Sequence, residues 1–84
     1  MTDSEGSIRE LVEFLTRSLV EEPDEVEVTE QEQDGDIMLE VRVGPDDLGR
    51  VIGRGGRLAN AIRIVTRAAA SQSDRRAYVE IIEL

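Results

Sequence analysis

Between Val51 and Ile62 the chain reads VIGRGGRLANAI, and this run limits the possible folds more than any other. Aliphatic residues at helical spacing lie on both sides, Leu48, Val51 and Ile52 before the glycines and Leu58, Ala61, Ile62, Val65 and Ala69 after them. Glycine adopts backbone conformations closed to other residues and often ends helices, so Gly53 is expected to stop one helix and Gly56 to open the next. The chain must then turn sharply between two helices on four residues. The second helix is predicted to run to about Ser71, with Arg57, Asn60, Arg63 and Arg67 on the side opposite its apolar residues.

The remaining segments supply what such helices pack against. From Ser7 the sequence SIRELVEFLTRSLV places Ile8, Leu11, Val12, Leu15 and Leu19 at helical spacing, with Ser7 and Glu10 as a capping box and Pro23 beyond the end. Glu25 to Glu32 alternates around Val26 and Val28, and Ile37 to Val43 puts Ile37, Leu39, Val41 and Val43 on one face. Asp34-Gly35 between them is a favoured type I′ hairpin turn. Pro45 suits a first helical position, and Asp46 and Asp47 complement a positive helix N-terminus. After the polar turn SQSDRR, the run AYVEIIEL predicts a third strand. The order is α-β-β-α-α-β, and helices covering one face of a three-stranded sheet make an α+β two-layer sandwich. A chain of 84 residues buries only about 60 to 65% of its unfolded surface, so residues 1–84 are read as a single domain, with 1–6 as a flexible N-terminus.

Composition removes most chemistry. Cysteine, histidine and lysine are all absent, which excludes a disulfide framework, a thiolate zinc site, the commonest general base and a phosphate-binding loop ending in GK[ST]. No cofactor, no metal and no catalytic residue is expected. The carboxylates from Glu21 to Glu32 lack the spacing of a calcium-binding loop and read as a solvated acidic surface. No stretch approaches the roughly 20 apolar residues that cross a bilayer, and MTDSEGSIRE has no features of a signal peptide, so a cytoplasmic protein without a membrane partner is expected.

The formal net charge is −9, yet it is unevenly spread: sixteen of the nineteen acidic residues precede Leu48, and Leu48 to Ser73 holds five arginines and no carboxylate. Local potential is set by charges within about 8 to 10 Å, so this segment can attract phosphate despite the total. Gly53 and Gly56 leave no side chain to obstruct a polyanion. A helix beginning at Gly56 offers the positive end of its dipole, and Arg54 and Arg57 add formal charge. The run has the makings of a backbone-phosphate clamp.

VIGRGGRLANAIR resembles the V-I-G-x-x-G core of KH domains, with Gly53 to Gly56 as the GxxG loop. The likeness extends from LVEFLTRSLVEEPDEVEV through VRVGPDDLGRVIGRGG to VEIIEL, and is similar to the small bacterial single-KH RNA-binding proteins of the KhpA family, with a type II KH arrangement. It implies that Gly53, Arg54, Gly55 and Gly56 hold the sugar-phosphate backbone of single-stranded RNA, with Arg57 beside them. It implies also that Val51, Ile52, Leu58 and Ile62 shape an apolar groove whose other wall comes from the sheet. The chain departs from the usual loop at Gly55, where a polar or basic residue is commoner.

A noncatalytic RNA chaperone or post-transcriptional regulator is what the resemblance implies, with a KhpB-like KH protein as a partner. One groove covers about four nucleotides, so such a partner or a homodimer would raise affinity. Met38, Tyr78 and Ile82 on the uncovered sheet face could support a homodimer or serve as edge packing. Arg63 and Arg67 are either solvent-exposed helix positions or RNA contacts. The alternative function is a protein-interaction adaptor on the same fold with weak or no RNA binding.

Overall fold

The computed structural model describes the backbone of residues 4–84 and the side chains from residue 8 onward. The expected N-terminal stretch 1–6, and Ser7 of the expected Ser7–Glu10 capping box, have side chains that lie outside those described. Helix α1 (Ser4–Leu19) leads through a 3-10 turn (Pro23–Glu25) to strands β1 (Glu27–Gln33) and β2 (Asp36–Val43). Helix α2 (Pro45–Ser71) and strand β3 (Ala77–Glu83) follow. The two helices expected after Val43 are both present: Gly53 to Gly56, four residues with non-helical angles, separate the segments 45–52 and 57–71, which are labelled together as α2.

Each strand follows from its pattern. Asp34 and Gly35 both take positive φ, 54° and 87°, as a type I′ turn requires, and Gln33 pairs with Asp36 to close an antiparallel hairpin. β2 is central and pairs in parallel with β3, so the three strands form a mixed sheet in the order β1-β2-β3. Ile37, Leu39, Val41 and Val43 of β2 are no more than 2% exposed, and Val12, Val26, Val28, Val51 and Ile62 join them in one core. Polar residues fill the other side of the sheet. There Met38 lies directly opposite Tyr78, but Glu40 opposite Glu80 separates that pair from Ile82, so carboxylates divide the anticipated apolar patch. β1 starts two residues later than expected because Pro23–Glu25 is already turned, Val26 N–H donating to the Pro23 carbonyl at 3.2 Å.

The buried side of α2 beyond the interruption is Ala59, Ile62, Thr66 and Ala70, a rotation from the expected Leu58, Ala61, Ile62, Val65 and Ala69. The deciding residue is Thr66. Its hydroxyl donates to the Ile62 carbonyl at 2.7 Å, so the side chain satisfies itself on its own helix and enters the core. Ile64 stands exposed on the opposite side. Among the described residues no helix is long and apolar enough to cross a membrane.

Asp47 does more than complement a helix dipole. Its carboxylate is 1% exposed and accepts the backbone N–H groups of Glu21 at 3.0 Å and Glu22 at 2.9 Å, while Arg50 Nε stands 3.5 Å away. It thus ties the connection after α1 to the first turn of α2. The Glu21 N–H, then that of Glu22 and the Arg50 charge, hold its carboxyl below the usual aspartate range against the desolvation that raises it. A depressed folded-state pKa adds stability that is present above the unfolded value of about 3.9 and is lost as pH falls through the folded value. Asp47→Ala should cost about 2 to 3 kcal/mol at neutral pH, because two part-buried N–H groups lose a charged acceptor. Urea titrations at pH 7 and pH 3 should show the difference between variant and parent shrinking on acidification.

Candidate nucleic-acid interface

The interruption in α2 is built from one extended residue and three left-handed ones. Gly53 has φ −75° and ψ 175°; Arg54 follows at 54° and 48°, Gly55 at 73° and 15°, and Gly56 at 75° and 28°. Positive φ explains glycine at 55 and 56, and so accounts for the departure from a polar residue at position 55. It does not explain Gly53, where φ is ordinary and nothing lies within 4 Å of where a Cβ would stand. The fold alone makes no demand for glycine there. Arg54 keeps a side chain in a conformation that costs an L-residue about 1 to 2 kcal/mol.

Arg54 and Arg57 are exposed and form no ion pair or side-chain hydrogen bond among the described residues. Most arginines earlier in the chain are neutralised: Arg9 and Arg17 by Glu13, Arg42 by Glu40, Arg50 by Glu21 and Asp47. The helical segment 57–71 begins at the loop and directs its positive end there, and successive N–H groups in such a turn favour an anion. Beside the loop is a hollow lined by Asp46, Gly49, Arg50, Gly53, Arg54, Arg57 and Leu58.

The structure sorts the residues expected to form the site. Gly53, Arg54, Arg57 and Leu58 line the hollow, with Gly55 and Gly56 in the same turn. Ile52 is 52% exposed next to it. Val51 and Ile62 are corrections to the expected groove: both are 0% exposed and hold the flanks of the loop from inside the core. They are drawn there because each faces the sheet when its own segment is helical. Every residue lining the hollow comes from α2.

Sequence reading missed Gly49. It lies four residues before Gly53 on the same helix face, and nothing stands within 4 Å of a Cβ placed on it. Glycine inside a helix costs about 1 kcal/mol relative to alanine, and that cost was the available signal. Gly49 and Gly53 together leave a strip of backbone open to close approach.

Adjacent loop positions should respond to substitution with opposite signs. Arg54→Gly should raise stability by about 0.5 to 1 kcal/mol, and Gly55→Ala should lower it by about 1 kcal/mol despite the open space around it. Urea midpoints of the two variants against the parent measure both.

The sequence matches the KhpA/KhpB KH-domain family over residues 9–81. It is 48% identical over 75 residues to the RNA-binding protein KhpA of Clostridium acetobutylicum, covering 89% of this chain and 100% of that one. It is 42% identical over 78 residues to the RNA-binding protein KhpA of Borreliella burgdorferi, covering 93% and 95%. Among solved structures, Era in complex with MgGDPNP and a segment of 16S ribosomal RNA aligns with a TM-score of 0.61 at 20% identity over 90% of this chain. Aquifex aeolicus Era bound to GDP and aluminium fluoride aligns with a TM-score of 0.64 at 20% identity over 99%. The chain spans 29% and 32% of those two Era chains, and the likeness is one of fold. With the matched range running from α1 into β3 and containing the whole loop, the chain belongs to the KhpA/KhpB family of KH-domain proteins.

Proposed function

We propose that this chain is a noncatalytic, cytoplasmic binder of single-stranded RNA whose loop from Gly53 to Gly56 grips the sugar-phosphate backbone. The observation that carries the reading is the pairing of two unneutralised guanidinium groups, Arg54 and Arg57, with backbone left bare at Gly49 and Gly53. Phosphate oxygens would approach the bare backbone, and the arginines would donate charge-assisted hydrogen bonds to them. Ile52 and Leu58 supply the apolar surface for bases, and Val51 and Ile62 fix those residues from beneath. The names of the relatives support RNA as the ligand.

On this reading the physiological role is that of an RNA chaperone or post-transcriptional regulator. A KhpB-like KH protein, or a second copy of this chain, would add a second groove and convert a weak contact into a useful one. Both extensions rest on the family resemblance.

The backbone angles choose the test. Aspartate tolerates left-handed φ at position 54 and is favourable at the start of a helix at position 57, so Arg54→Asp with Arg57→Asp reverses the charge at little cost to the fold. Fluorescence anisotropy with a short unstructured RNA across a salt series should show parent binding that weakens with salt. The variant, still folded by circular dichroism, should lose at least about tenfold in affinity, with a slope smaller by about 1.4, or roughly 0.7 for each lost phosphate contact. Equal binding by the two proteins would remove RNA from the loop and favour the adaptor function instead.

A further inference from the structure

At the end of α2 remote from the loop, Arg67, Ser71, Arg75, Arg76, Ala77 and Tyr78 enclose a second hollow. Arg75 is held there by the β1–β2 hairpin: its Nε donates to the Gly35 carbonyl at 3.1 Å and its Nη2 meets the Glu32 carboxylate at 2.9 Å. Arg67 and Arg76 are exposed and have no ion pair among the described residues. A folding reason for cations in this place would be the negative end of the helix. The last carbonyls are already met, however, since Ser73 and Arg75 N–H groups donate to Ala70 O and Asp74 N–H donates to Ser71 O. Two guanidinium groups without a carboxylate partner thus line the same hollow as Tyr78, a residue 46% exposed.

An aromatic residue and free cations lining one hollow suit a nucleotide, because a base can stack on the aromatic ring while its phosphate takes the guanidinium N–H groups. The two hollows are connected in kind. The arginines of α2 beyond its interruption, Arg57, Arg63 and Arg67, carry no ion pair among the described residues, and they lead from the loop toward Ser71. At helical rise that distance is about 21 Å. We infer that the hollow at Arg67, Arg76 and Tyr78 is a second subsite for phosphate and base, taken by the continuation of the same RNA strand that the loop grips. This rests on the RNA-binding reading and extends the footprint beyond the about four nucleotides of one KH groove.

The test compares the full chain with an Arg67→Gln, Arg76→Gln variant, using oligouridylates of about four nucleotides and of roughly three times that length. Both substitutions fall on exposed side chains without partners, and circular dichroism checks the fold. Parent and variant should bind the short RNA equally. For the long RNA the parent's log-affinity against log-salt slope should exceed the variant's by about 1.4, the contribution of two phosphate contacts. A longer RNA offers more binding registers to both proteins alike, so the difference between them isolates the second hollow. Identical slopes and affinities on the long RNA would overturn the proposal and leave the hollow to an acidic protein surface. Failure of the parent to bind even the short RNA would overturn the loop reading as well, and is told apart by that arm.

Discussion

The Asp47 carboxylate, in the first turn of α2, meets the N–H groups of Glu21 and Glu22, just past the end of α1, and the place of the loop follows from that meeting. The first turn of α2 is fixed against the end of α1, about one turn later Val51 enters the core, and the interruption at Gly53 comes next. Such a charge is tolerable inside the protein because its oxygens are met by backbone donors and an arginine edge. The same contact draws Arg50 toward Glu21 and Asp47, so the cations left over near the loop are Arg54 and Arg57.

Charge in this chain is therefore organised by neutralisation as much as by position. Arginines in α1, in β2 and in the part of α2 before its interruption have carboxylates within ion-pair distance, as does Arg75, whereas Arg54, Arg57, Arg63, Arg67 and Arg76 have none among the described residues. A surface pair contributes little to stability, but it does cancel the field that a free cation would project. The result is a strongly acidic protein whose uncancelled positive charge lies along one half of one helix and the turn after it.

Much of this was legible in the sequence. The Asp34-Gly35 turn, the alternation of Ile37 to Val43 and the glycines at 53 to 56 are local signals, and each forms the local structure it encodes. The misread features depend on partners distant in sequence or on unusual satisfaction of a polar group. Thr66 is a polar residue outside the apolar set read from the sequence, yet its hydroxyl finds Ile62 on its own helix and the side chain is buried. Asp47 reads as a helix-start residue, and only the fold brings residues 21 and 22 to it. Val51 and Ile62 were recognised as apolar, but periodicity does not distinguish the wall of a groove from the core behind it.

The loop touches almost nothing of its own protein. Around Gly53 and Gly55 a Cβ would meet open space, and at Gly56 its nearest neighbour would be the Asn60 amide at 4.0 Å. Sites without shared contacts make nearly independent contributions to free energy. A lineage can therefore retune the grip of this turn, adding or removing charge at its apex, while the core evolves under separate constraints.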